Sequence, residues 1–191
     1  SIIDHLSEII NKFTKDSDPI GIIGASMSGS IALELAHRFP NKINKLLLLS
    51  PAGITDKPKP IPPVLDKIGV WFLSQPKVRE AICKQAFSDP QRSVGKAELQ
   101  IASLHLGVPG WGRSLAAFAR KGGVGYSNPQ RSFTDKNLKV LWGKQDRILN
   151  GQQKEKCIYL LGSKVQELDK CGHLPHLDQP ELVAEIWSND F

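Results

Sequence analysis

The chain has 191 residues, of which 40% are apolar and 23% charged, a length that can bury a core as one domain and a composition ordinary for a soluble globular protein. No apolar run approaches the roughly 20 residues a membrane span needs, and no signal-peptide pattern is present, although the start at Ser1 without Met leaves room for a preceding segment. The formal net charge is +6, with basic residues scattered along the sequence. Lys57-Pro58-Lys59-Pro60 is too short for a nucleic-acid arm and no aromatic residues interleave with a basic stripe, so the charge reads as a solvated surface, with weak attraction to anionic partners as the lesser option, and no nucleic-acid partner is expected. The three cysteines, Cys83, Cys157 and Cys171, are odd in number and lack CxxC spacing. That pattern points to a reducing compartment such as the cytoplasm, and against a disulfide framework or a zinc site.

In chain order, Ile2, Ile3, Leu6, Ile9, Ile10 and Phe13 fall at helical spacing and predict an amphipathic helix over residues 1–15. Pro19 to Ile23 is a short buried-strand signal. Gly24-Ala25-Ser26-Met27-Ser28-Gly29 follows, and then a helical pattern from Ile31 to Phe39 that Pro40 ends. Ile43 to Leu49 is apolar on consecutive positions, as a parallel strand covered on both faces requires. From Asp56 to about Gln130 the sequence is rich in Pro and Gly with no strand signal. Helices are expected over 64–73, 76–87, 94–106 and 111–120, with Gly122, Gly123 and Gly125 closing the segment. Strand signals resume at Leu138–Gly143 and Lys164–Leu168, with a helix over 152–161 between them and a last one starting near Pro180. The resulting fold class is α/β: a parallel sheet flanked by helices, with a core over 1–55, a helical cap insertion over 56–131 and a second core segment over 132–191.

Three polar residues fall just beyond the carboxyl ends of three expected strands: Ser26, Asp146 and His173. Sites in open parallel sheets collect at that edge. A serine in a tight strand-to-helix turn is a nucleophile elbow, whose strained backbone demands small neighbours; Gly24 and Ser28 meet that demand. A serine hydroxyl needs a base to take its proton, histidine suits that task at neutral pH, and a carboxylate fixes the imidazole tautomer. Asp169 and Asp178 compete for the acid role but lie on the histidine's own segment, where capping or solvation is expected. His176 is expected to make a structural hydrogen bond, and His5, His37 and His105 to lie at surfaces.

Gly24–Gly29, Trp142-Gly143-Lys144-Gln145-Asp146 and Gly172–Pro180 resemble the three hallmark segments of the α/β-hydrolase superfamily, and Leu47–Gly53 resembles the strand before its cap. The resemblance covers the whole chain and is weakest in the cap. It implies Ser26 as nucleophile, Asp146 as acid, His173 as base and the Met27 backbone N–H as one oxyanion donor. It also implies no metal or organic cofactor and a small-molecule acyl substrate, a carboxylic ester first. Serine at the elbow argues against the dehalogenase and epoxide-hydrolase relatives, which use aspartate there.

Two departures stand out. Ser28 replaces the usual Gly, and with 25 residues before Ser26 the family's early strands and second oxyanion donor have no counterpart. A C-terminal portion of a larger hydrolase, or a truncated relative with one sheet edge uncovered, is therefore expected. The competing readings are a catalytically silent or slow ligand-binding module, or a fragment inactive without its missing N-terminal region. Trp71, Phe72, Phe87, Trp111 and Phe118 are candidates for an acyl pocket, most of them expected to pack the cap against the sheet.

Overall fold

The computed structural model of the protein describes residues 2–15, 17–54, 59–123, 137–149 and 151–189. Helix α1 (Ile2–Phe13) precedes strand β1 (Ile20–Ala25), and α2 (Met27–Arg38) returns the chain to β2 (Ile43–Leu49). Five helices follow: α3 (Pro63–Ser74), α4 (Pro76–Ala86), α5 (Pro90–Ser93), α6 (Lys96–Ile101) and α7 (Trp111–Arg120). Strand β3 (Asn137–Gly143), helix α8 (Gly151–Leu161), strand β4 (Val165–Leu168) and helices α9 (Pro175–Asp178) and α10 (Pro180–Asn189) complete the chain. The expected limits of the helical insertion, at 55–56 and 131–132, and its Pro58, Gly125 and Gln130 lie outside the described residues.

The four strands are parallel and stand in sequence order. The apolar run of β2 explains why both faces are covered, since alternate side chains of a strand point to opposite sides. Leu46 and Leu48 join Leu33, Ile31, Val140, Trp142 and Cys157 in a core beneath α2 and α8, against which Ile3, Leu6 and Ile10 of α1 also pack. Leu47 and Leu49 join Leu141, Leu168, Val183 and Ile186 in a second core beneath α10. Strand β1 is an edge of the described sheet, and Ile23 on it is exposed.

One expected helix divides. Residues 94–106 form α6 and a separate 3₁₀ turn, Leu104–Gly107, while α5 precedes Val94, which is extended. Gly95 caps α6, its N–H donating to Glu98 Oε2 at 2.8 Å, so the helix starts there rather than at Val94. Ser103 ends it, its hydroxyl donating back to the Leu99 carbonyl at 2.9 Å.

Candidate active site

Ala25, Leu49 and Leu141 pair in one row across the sheet and Gly143 pairs with Leu168, so the loops after β1, β3 and β4 leave the same edge. After β1, Ser26 continues the ladder, its N–H donating to the Leu49 carbonyl at 2.9 Å, and then turns into α2 with φ 50° and ψ −122°. A non-glycine residue there costs about 1–3 kcal/mol. The Ser26 carbonyl accepts from the N–H groups of Gly29 and Ala52, both at 2.9 Å, which hold the turn. Small neighbours are required, as the sequence implied, but not at every expected place. A Cβ on Gly24 would lie 2.7 Å from the Ser28 carbonyl oxygen, and one on Gly29 would lie 2.4 Å from Pro51 Cβ. Ser28 is exposed, which is why a serine is accommodated at that position. The Met27 N–H stands first in α2, where a helix supplies no internal acceptor.

After β3, Asp146 turns its carboxylate in two directions. Oδ1 accepts the N–H groups of Ile148 at 2.8 Å and Leu149 at 3.1 Å, while Oδ2 lies 2.9 Å from His173 Nδ1. His173 Nε2 lies 2.9 Å from Ser26 Oγ. A carboxylate can only accept, so Nδ1 carries the imidazole proton and Nε2 accepts from the serine hydroxyl. The His173 and Asp146 side chains are only 6% and 3% exposed, so the hydrogen bond between them is shielded from water, while Ser26 is half-buried.

Further contacts fasten the loops after β3 and β4 to each other and to the end of α4. Gln145 N–H donates to the Cys171 carbonyl and its Oε1 accepts the Cys171 N–H, both at 2.9 Å. Asp178, read as a cap, has that role: its Oδ2 accepts Gly172 N–H at 2.6 Å and Ser88 N–H at 2.9 Å. His173 N–H donates to the Ala86 carbonyl at 2.8 Å, so the histidine loop is fastened to the end of α4. Asp169 instead pairs with Lys144 at 2.9 Å in solvent. Against expectation, His176 Nδ1 is buried without a partner among the described residues. Burial, then the charge of His173, lowers its pKa. All three cysteines are free, and burial pushes the Cys157 and Cys171 thiols up to about 12.

A cavity of about 740 Å³ lies among the helices between β2 and β3. It reaches the residue after His173, Leu174, and is walled by Leu73, Ile82, Phe87, Ile101 and Trp111. His105, expected at the surface, lines this cavity with its ring 4.8 Å from that of Trp111. Of the expected pocket aromatics, Phe87 and Trp111 line it. Trp71 and Phe72 are exposed and pack nothing against the sheet.

A family model described as the alpha/beta hydrolase family matches residues 1–186. The chain belongs to the alpha/beta hydrolase family. Its four parallel strands and flanking helices are that fold, in the part of it this chain spans. The alpha/beta hydrolase domain-containing protein VTE7 of Arabidopsis thaliana is 25% identical over 189 residues, which cover 97% of this chain and 56% of VTE7. The chain thus spans little more than half the length of that relative. The 2-hydroxy-6-oxo-2,4-heptadienoate hydrolase of Pseudomonas putida is 25% identical over 197 aligned residues, which cover 100% of this chain and 69% of the enzyme. In fold, the chain is similar to the 2-hydroxy-6-oxo-6-phenylhexa-2,4-dienoate hydrolase BphD of Rhodococcus sp. strain RHA1. The TM-score is 0.71 at 19% identity, over 96% of this chain and 67% of BphD.

The geometry sets a pH dependence. Burial alone pushes the Asp146 carboxyl up. The hydrogen bond and charge of His173 and the N–H groups of Leu149 and Ile148 outweigh it, holding the carboxyl below its ordinary value. A group with a depressed folded pKa stabilises the fold above its unfolded pKa, and that contribution is lost as pH falls through the folded value. Asp146→Asn is therefore expected to lower the melting temperature near neutral pH, with the gap to the parent narrowing below about pH 4. Thermal unfolding across that range checks this; a gap that widens on acidification would contradict it.

Proposed function

We propose that the protein is a serine hydrolase that cleaves carboxylic esters through an acyl-enzyme intermediate. The observation that carries this reading is the unbroken hydrogen-bond chain from Ser26 Oγ through His173 to Asp146 at the carboxyl edge of the sheet. His173 Nε2 takes the Ser26 proton as Oγ attacks the ester carbonyl, and Asp146 stabilises the imidazolium that forms. The Met27 N–H, free of any helical acceptor, faces the developing oxyanion. The intermediate collapses as His173 returns its proton to the departing alkoxide, leaving Ser26 acylated. Water, deprotonated by His173, then attacks the acyl carbonyl, and Ser26 leaves with the proton to release the acid. Residues 56–131 act as the cap, and the apolar cavity beside Leu174 receives the acyl group. The likeness to the Pseudomonas putida enzyme favours a second reading, hydrolysis of an oxo-dienoate at the same serine.

A panel of p-nitrophenyl esters of increasing acyl length, with an oxo-dienoate beside it, tests the proposal. Hydrolysis of an ester that Ser26→Ala lowers by on the order of 10³-fold or more, with near-UV circular dichroism unchanged, is the expected result. Activity of Ser26→Ala within tenfold of the parent would refute the role given to Ser26. No turnover of any substrate by the folded chain would favour a silent binding module.

A further inference from the structure

Among the described residues, helix α3 carries an apolar face that is left largely exposed. Val64, Leu65, Ile68, Trp71 and Phe72 are 71%, 54%, 54%, 64% and 52% exposed. At 3.6 residues per turn these five fall within an arc of about 120°, with Leu73 on the opposite side, where it lines the cavity. The outward stripe is therefore a second apolar surface on a helix whose inner side is already in use. Ile61, just before the helix, extends it and is also exposed.

The charge around this stripe is of one sign. The single acidic residue of α3, Asp66, lies on the inner side of the helix, buried and paired with Arg120 of α7 at 3.0 Å, so it sets no negative charge beside the stripe. Lys67 is exposed beside the stripe, Lys59 precedes it, and Lys77 opens the next helix. The basic residues are scattered along the sequence, but their excess is not. Residues 59–123 hold ten Lys and Arg against four Asp and Glu, and so carry the whole formal excess of +6, while the remainder of the chain is balanced.

We infer that α3 docks this face of the protein onto an anionic lipid bilayer, with Trp71, Phe72, Ile68, Val64 and Leu65 entering the headgroup region and Lys67, Lys59 and Lys77 facing the lipid phosphates. An exposed apolar helix surface that carries tryptophan, with lysines at its margin, settles into the interface of an anionic bilayer in this way. Tryptophan settles at that depth because its ring is apolar and its N–H remains near water. No described helix is long and apolar enough to cross a membrane, so the contact is with one surface of the bilayer. It would hold whether or not Ser26 is a nucleophile.

Flotation with phosphatidylcholine vesicles, with and without about one-third phosphatidylglycerol, tests the inference. The chain is expected to float with the anionic vesicles, at least tenfold more than with the neutral ones, and to be released by high salt. Ile68→Asp/Trp71→Asp is expected to lower that binding at least tenfold, and Lys67→Glu to weaken it on anionic vesicles alone. Both sites are exposed, and near-UV circular dichroism checks that the variants keep the fold. The inference fails if the parent stays unbound to anionic vesicles, or if the double variant binds as well as the parent. It fails equally if the parent forms a dimer that the double variant abolishes and no vesicle binding is seen, since the stripe then serves a second copy of the chain.

Discussion

His173→Ala is expected to lower ester hydrolysis by on the order of 10⁶-fold, the scale of loss when the base of a serine triad is removed. His173 is the only member of the candidate site in contact with both others, at 2.9 Å from each. Without its imidazole, Ser26 keeps its hydroxyl proton at neutral pH, and the Asp146 carboxylate has nothing left to orient. The fold should survive, because the loop is held by its backbone: His173 N–H on the Ala86 carbonyl and Gly172 N–H on Asp178 remain in the variant. Steady-state rates on the best ester of the panel, beside near-UV circular dichroism, check both parts. A folded variant within a hundredfold of the parent would show that another group takes the serine proton.

Gly143→Ala is expected to be the most damaging single-methyl change in the core. A Cβ there would stand 1.9 Å from the Gly172 carbonyl oxygen and 2.4 Å from that of Cys171, both on the backbone of the histidine loop. Neither atom is the end of a flexible side chain, so the loops after β3 and β4 would have to part. Gln145 and Cys171, which exchange hydrogen bonds at that point, would lose them. The expected cost is about 3 kcal/mol or more, which lowers the melting temperature by roughly 6–12 °C in a chain of this size. Because the same movement separates Asp146 from His173, activity should fall by about 10²-fold even where the variant is folded. Gly69→Ala is the control. Nothing lies within 4 Å of a Cβ there and the residue is inside α3, so about 0.5–1 kcal/mol of stabilisation is expected. Equal thermal effects of the two substitutions would contradict the packing described at Gly143.

The two cases also show which parts of the molecule local sequence carries. The strands were legible because β2 buries both faces and so leaves a consecutive apolar run. Ser26, Asp146 and His173 were legible as candidates because each follows a strand signal, and one sheet edge gathers whatever follows the strands. The contacts that fasten those loops were not legible. Gln145 meets Cys171, and Asp178 meets Ser88 ninety residues earlier, through backbone N–H groups that any residue type can present. Gly29 was passed over for a similar reason: its need for space comes from Pro51, on another strand's exit loop. Between β2 and β3 the helical periodicity held, but the break at Gly95 depends on a single capping bond from its N–H to Glu98. Trp71 and Phe72 were misplaced because an apolar side chain on a helix gives no sign of which neighbour, if any, covers it. Among the described residues, both are left mostly exposed.

Labelling the chain with a fluorophosphonate, read by intact mass and peptide mapping, tests the central claim most directly. Such a probe reacts only where a serine and its base are assembled, and it needs no knowledge of the substrate. One adduct per chain is expected, on the peptide that contains Ser26, and it should be absent from Ser26→Ala and His173→Ala. A folded chain that stays unmodified, or that is modified equally with His173 removed, would contradict the account of Ser26 as a nucleophile activated through His173 and Asp146.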